Sequence, residues 1–132
     1  MPACRIFILL IVLLAASEPA LGETLNSFRH AHGLSALHRS GKLQAMAARH
    51  ARSMAARHSM DHAGFFSARG PRGASAENVA FGCASESCAM KEWANSSGHR
   101  ANMLRADVKS YGLASAGSGR GRYWALVLGV SR

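Results

Sequence analysis

A regular pattern of apolar and small residues runs through the first half of the chain. Counted from Leu43, these residues recur three, four, seven, eight and eleven positions later, which is the spacing of one face of an α-helix. The face consists of Leu43, Met46, Ala47, His50, Ala51 and Met54. The pattern predicts a helix that begins at Ser40 or Gly41 and ends near His58. Because a histidine on an apolar face is usually a hydrogen-bonded core residue, we assign His50 to the core rather than to a ligand site.

Shorter helices are predicted on either side of this one. The first covers Asn26–Gly33, with Asn26 as its N-cap and a glycine at its end. Another covers Ser85–Asn95 and has its apolar residues on one face. The Ser-Ser-Gly sequence at residues 96–98 breaks that helix, and His99–Leu104 adds a further turn or two with Ser96 or Ser97 as its N-cap.

The last part of the chain changes to the pattern of β-strands. Val108–Ala116 and Arg122–Val130 are β-prone runs on either side of a Gly-Ser-rich turn, which predicts a hairpin. An earlier short strand is predicted within Ala74–Gly82, and Ser59–Gly73 is predicted to be a surface loop because it carries several glycines and a proline. Helices followed by a hairpin indicate an α+β domain with a small antiparallel sheet covered by helices.

The N-terminal segment has the layout of a secretory signal peptide. Arg5 precedes an apolar run from Ile6 to Ala16, and a small-residue site ends at Gly22. The run is too short to serve as a stable transmembrane anchor, because a spanning helix needs about 20 residues. We therefore expect residues 1–22 to be removed and residues 23–132 to form a single domain that is secreted, either periplasmic or extracellular.

The composition is strongly basic, with a formal net charge of +9. Such a surface attracts anions, and export makes an anionic envelope component, a lipid or an acidic protein a better partner than nucleic acid. The predicted binding arginines are Arg49, Arg52, Arg57, Arg69 and Arg72. A solvated basic surface without a dedicated partner is the alternative.

Two cysteines, Cys83 and Cys88, remain after the predicted cleavage. In an oxidising compartment such a pair usually forms a disulfide. A zinc site that uses both thiolates is the alternative, but the usual second cysteine or histidine pair is missing.

The candidate chemistry lies in His62, Glu77 and His99. Two imidazoles and a carboxylate can hold a divalent metal such as zinc and leave a position open for water. The same groups can act as acid and base without a metal. No nucleophile is indicated, because the chain lacks a G-x-S-x-G sequence, which disfavours a covalent hydrolase.

Several motifs together resemble one family. In chain order they are N-x-x-R-x-x-x-G-L-x-x-L from Asn26, L-x-x-x-A-x-x-H-A-x-x-M-A from Leu43, Asp61-His62, A-E-N-V-A from Ala76, W-x-x-S-x-G-H-R-x-N-M-L from Trp93 and a Tyr-Trp pair in the last strand. This order resembles the CAP superfamily of cysteine-rich secretory proteins, antigen 5 and pathogenesis-related proteins, also called SCP-like domains. The resemblance covers about Leu25 to Gly129 and is greatest to the short bacterial, secreted branch.

The resemblance implies an α-β-α sandwich with a small antiparallel sheet between helical layers and a broad cleft. In eukaryotic members the cleft carries two His and two Glu that bind zinc or another divalent ion. His62 and Glu77 match the first His and the first Glu, whereas Ser96 and Tyr123 stand where the second Glu and second His are expected. We hypothesise that His99 replaces a lost ligand. The implied cleft residues are His62, Glu77, Asn78, His99, Arg100, Asn102 and Tyr123.

The sequence therefore favours a secreted, non-enzymatic binding module with a polar cleft around His62 and Glu77. Its basic surface would meet an anionic envelope, lipid or protein partner. A metal-assisted or acid–base hydrolase that uses His62, Glu77 and His99 is the alternative.

Overall fold

The computed structural model describes residues 22–131. The predicted signal peptide, apart from Gly22, lies outside the described residues. In chain order the elements are α1 (Leu25–Ala31), β1 (His38–Arg39), α2 (Gly41–Arg57), β2 (Ala76–Phe81), α3 (Glu86–Ala94), α4 (Ser97–Met103), β3 (Ser110–Ala116) and β4 (Tyr123–Gly129). Within residues 22–131, none of the helices has the length and apolar character needed to cross a membrane.

The long helix α2 agrees with its predicted bounds and its predicted buried face. The Ser40 hydroxyl accepts a hydrogen bond from the backbone N–H of Leu43 and caps the first turn. At the other end His58 adopts a left-handed conformation and ends the helix. All six residues of the predicted stripe, His50 included, are buried.

The strands form one sheet with the order β1-β3-β4-β2. The predicted hairpin is confirmed as β3 and β4, and β2 pairs antiparallel with β4 over its whole length. The two residues of β1 pair in parallel with β3, so the sheet is mixed rather than purely antiparallel. A strand of two residues has no period, which is why the sequence did not predict it.

Helices cover both faces of the sheet and make an α-β-α sandwich. Alternate residues of β4 point to opposite faces, because successive side chains of a strand alternate. Trp124, Leu126 and Leu128 pack with α1, α3 and α4, whereas Ala125 and Val127 pack with α2. The predicted fold class is confirmed.

The start of α1 differs from its prediction, whereas the predicted N-cap of α4 is confirmed. Thr24, not Asn26, is the N-cap of α1, and it exchanges capping-box hydrogen bonds with Ser27. The Asn26 side chain instead bonds the backbone N–H and C=O of Leu37, which ties the following segment to α1. Helix α4 begins at Ser97, so the Ser-Gly pair predicted to break the helix lies in its first turn.

The predicted disulfide is present between Cys83 and Cys88. It joins the end of β2 to the first turn of α3. The indole N–H of Trp124 donates to the carbonyl of Cys83 at 2.8 Å, so the bridge is also fixed to β4.

Replacing the buried Arg29 of α1 with methionine is expected to lower the free energy of unfolding by about 2 kcal/mol. Its guanidinium donates to the carbonyls of Ser35, Met103 and Arg105 at 2.8–2.9 Å, and burial lowers the pKa of Arg29. Methionine fills most of the space but leaves these acceptors without a donor. Urea unfolding followed by circular dichroism measures the loss. The exposed Arg49→Met variant is the control, and equal stability of the two variants would contradict the structural role.

Candidate functional site

The site is built around the carboxylate of Glu77 in β2. Glu77 points to the same face of the sheet as Val79, which is the face covered by α2. Its side chain is only 1% exposed. A buried carboxylate is stable only when charged or hydrogen-bonding groups surround it, so the partners of Glu77 define the site.

Arg69 holds both oxygens of this carboxylate. Its Nε donates to Oε2 at 2.6 Å and its Nη2 donates to Oε1 at 2.8 Å, which is a bidentate ion pair. The third nitrogen, Nη1, donates to the carbonyl of Ala63 at 2.9 Å. Arg69 ends a π-helical turn that covers Phe65–Arg69, within the segment predicted as a loop.

His62 forms the outer side of the site. Its Nδ1 lies 3.0 Å from Oε1 of Glu77, and its side chain is 49% exposed. Because the carboxylate already accepts from Arg69 and has no proton to offer, the Nδ1–H of His62 is the donor. In the neutral form of the imidazole, the other ring nitrogen, Nε2, carries the lone pair.

His50 lies beneath the carboxylate. Its Nε2 is 2.7 Å from the carbonyl of Asp61 and 3.5 Å from Oε1 of Glu77. A carbonyl can only accept, so Nε2–H donates, and burial lowers the pKa of His50. The predicted core role of His50 is confirmed. The contact between His50 and Glu77 could not be predicted, because the sequence does not show which residue of another element faces His50.

Asp61 shapes the segment that carries His62. It accepts from both terminal nitrogens of Arg57 at 2.7 and 3.1 Å, from the hydroxyl of Ser59 and from the backbone N–H of Ala63. The Arg57 hydrogen bonds, followed by those of Ala63 and Ser59, hold the pKa of Asp61 well below its usual range.

The predicted set of basic surface arginines needs correction. Arg57 is paired with Asp61, and Arg69 is paired with Glu77 with its side chain only 11% exposed. A sequence pattern records the charge of an arginine but not whether an acid already neutralises it. Arg49, Arg52 and Arg72 of that set are exposed.

Two asparagines position α4 against β2. Asn78 is fully buried, and its Nδ2 donates to the carbonyl of His99 at 3.0 Å. Asn102 donates from its Nδ2 to Oδ1 of Asn78 at 3.0 Å. Both were predicted cleft residues, but their polar atoms bind the protein itself. Asn78 thereby fixes the backbone of His99, and burial and then the charge of His62 lower the pKa of His99.

Two other predicted cleft residues lie away from Glu77. Arg100 contacts His32 at 2.8 Å and stacks over the ring of Phe28, so it fastens α4 to α1. Tyr123 is buried, with its ring centroid 4.5 Å from that of Phe81. It stands four residues before Val127, the β4 partner of Glu77, which is about 13 Å along the strand.

Two cavities lie beside these residues. The larger, about 360 Å³, is lined by His62, Phe65, Phe66, Ser75, Ala76, Glu77, Asn102 and Arg105. The smaller, about 210 Å³, is lined by Met60, Val79, Ala80, Phe81, Glu92, Trp93, Ser96 and His99. Three of the lining side chains are apolar and strongly exposed: Phe66 (88%), Met60 (52%) and Phe81 (51%). A further cavity of about 290 Å³ beside Arg29 and Lys109 contains none of the predicted site residues.

A family model described as the cysteine-rich secretory protein family, CAP, matches residues 23–129. The chain belongs to the CAP family. The match covers most of the chain and confirms the resemblance found in the motifs. No functionally curated protein matches the sequence.

Solved structures of bacterial proteins share this CAP fold. An outer surface protein from Borrelia burgdorferi has a TM-score of 0.71 at 16% identity, over 82% of this chain and 87% of that one. An extracellular SCP-domain protein from Bacillus anthracis has a TM-score of 0.60 at 26% identity, over 79% of this chain and 37% of that one. A cysteine-rich secretory protein from Staphylococcus aureus has a TM-score of 0.63 at 19% identity, over 81% of this chain and 36% of that one. The chain thus spans little more than a third of the last two proteins.

The divalent metal implied by the CAP resemblance does not fit the residues as they are arranged here. Both oxygens of Glu77 accept from a guanidinium, and His62 uses one ring nitrogen on the same carboxylate. Among residues 22–131, no group of three or more His, Cys, Asp or Glu side chains is placed to hold a metal ion. Zinc titration of the purified protein tests the metal site that the sequence suggested at His62, Glu77 and His99.

Proposed function

We propose that this CAP domain is a secreted binding module whose ligand occupies the cavity lined by His62 and the cavity lined by His99. The ligand class that fits is an amphipathic anion of the cell envelope, such as an acidic lipid or a lipid-linked anionic polymer. The observation that carries the proposal is the engagement of Glu77 by Arg69. Both oxygens of Glu77 accept hydrogen bonds from Arg69. The carboxylate therefore has a structural role and is not available to a substrate.

The apolar part of the ligand would meet the exposed side chains of Met60, Phe66 and Phe81. Large apolar side chains that remain exposed beside a cavity are typical of interaction sites. Its anionic part would be attracted by the net charge of +9 and by exposed arginines such as Arg72. The family and the extracellular relatives support secretion.

Binding of the exported protein to vesicles tests this function. We expect association with vesicles that contain acidic lipid, weaker association with zwitterionic vesicles, and a decrease as salt increases. Phe66→Ser is expected to weaken binding by at least tenfold, because a phenylalanine side chain contributes about 1.5–3 kcal/mol when it is buried and about 1.4 kcal/mol corresponds to tenfold.

Val130→Ser is the matched control, because Val130 is 49% exposed but lines neither cavity. Equal binding by Phe66→Ser and Val130→Ser would show that the ligand does not bind at these cavities. If the unaltered protein does not bind acidic vesicles, an acidic lipid is not its ligand.

An acid–base hydrolase is the second candidate, and the Glu77–His62 pair favours it. A carboxylate that accepts from one imidazole nitrogen leaves the other nitrogen able to take a proton, which is the arrangement of a general base. His99, whose pKa is lowered by burial and by the charge of His62, would be the second acid–base group. In a hydrolysis screen, this candidate predicts turnover that is lost in His62→Gln. If the screen finds no turnover, or if turnover is unchanged in His62→Gln, the hydrolase is rejected and the binding module remains the proposed function.

A further inference from the structure

Arg69 is the only arginine or lysine that contacts the carboxylate of Glu77 in the part of the chain that the structure describes. It donates two short hydrogen bonds, and its side chain is 11% exposed. The remaining neighbours of the carboxylate, His50 and His62, are imidazoles. The permanent positive charge next to the buried carboxylate of Glu77 therefore comes from Arg69.

We propose that Arg69 is a built-in cation that takes the place of the divalent ion implied by the CAP resemblance. A buried carboxylate needs a nearby positive charge, and either a metal ion or a guanidinium supplies it. Here the guanidinium occupies both oxygens, so an incoming metal ion would have to displace two charge-assisted hydrogen bonds. It would also meet the positive charge of Arg69 at close range, in a buried setting where repulsion is strong.

The proposal predicts what removal of this charge does. In Arg69→Met, Oε2 of Glu77 loses its hydrogen-bond donor while Oε1 keeps the hydrogen bond from His62, and the buried negative charge loses its counterion. A carboxylate and an imidazole are both ligands that zinc accepts. The variant is therefore expected to gain zinc affinity and to recover stability when zinc is added. Arg69→Lys keeps a positive charge at the same position and is not expected to gain either.

Zinc titration of the purified protein tests this, with the bound metal measured by elemental analysis and the melting temperature measured with and without zinc. We expect no site-specific zinc uptake by the unaltered protein or by Arg69→Lys. In Arg69→Met we expect at least a tenfold gain in zinc affinity and a zinc-dependent rise in melting temperature. Both are expected to disappear in Arg69→Met/His62→Ala.

Stoichiometric zinc in the unaltered protein that His62→Ala removes would overturn the proposal. A folded Arg69→Met variant without any gain in zinc affinity would also overturn it. If Arg69→Met does not fold, Arg69→Gln repeats the comparison with a neutral side chain that still hydrogen-bonds, and the result for the unaltered protein is decisive by itself. Vesicle binding is measured separately, so failure here is distinguishable from failure of the proposed function.

Discussion

Glu77→Ala is expected to lower the free energy of unfolding by about 3 kcal/mol, the range found when one partner of a buried ion pair is removed. The side chain of Arg69 is 11% exposed and would be left without its anion in a mostly buried position. His62 would lose the acceptor that fixes its ring. Urea unfolding followed by circular dichroism measures the change in stability.

Glu92→Ala is the control for this loss, because Glu92 is exposed on α3. Its effect is expected to stay within about 0.5 kcal/mol. Similar stability of the Glu77 and Glu92 variants would mean that the buried carboxylate does not organise the site.

Gly112→Ala is expected to destabilise the fold by about 3 kcal/mol, at the upper end of the usual effect of overpacking. Gly112 lies in β3 directly beneath α2, and a Cβ there would overlap backbone atoms of Leu43 and Gln44. Backbone atoms cannot rotate away as a side chain can, so α2 would have to move off the sheet. The displacement would also disturb His50, which α2 places under Glu77.

The matched control for this substitution is Gly98→Ala. Gly98 lies in α4, and an added Cβ there meets no atom within 4 Å. Alanine in a helix is favoured over glycine by about 0.5–1 kcal/mol, so this variant is expected to be slightly more stable. A thermal melt that shows the same loss for both glycines would contradict the close packing of α2 on β3.

The elements that were predicted well are those with a strong period or a clear turn signal. The stripe on α2 repeats with the helical period for almost its whole length, and the Gly-Ser-rich turn between β3 and β4 marks a hairpin. Both signals are local, so a single sequence is enough to read them. The Cys83–Cys88 disulfide was predicted for the same reason, because the two cysteines are only five residues apart.

The contacts of the Glu77 carboxylate with Arg69 and His50 could not be predicted, because they depend on tertiary structure. Arg69 ends a π-helical turn, and it reaches Glu77 because the chain after it makes a 3-10 turn at Gly70–Arg72 and then enters the sheet. Its charge alone suggested a surface residue. His50 was correctly assigned to the core, but the carboxylate above it comes from another layer. Arg100 and Tyr123 were placed in the cleft by motif position, which does not tell which face a side chain takes.

A double-mutant cycle between Arg69 and Glu77 tests the central claim most directly, namely that their buried ion pair stabilises the candidate site. The free energies of unfolding of the unaltered protein, Arg69→Met, Glu77→Ala and the double variant are compared. We expect a coupling energy of about 2–3 kcal/mol, in the upper part of the range for residues in direct contact. A coupling energy below about 0.5 kcal/mol, as for residues that do not interact, would contradict the claim.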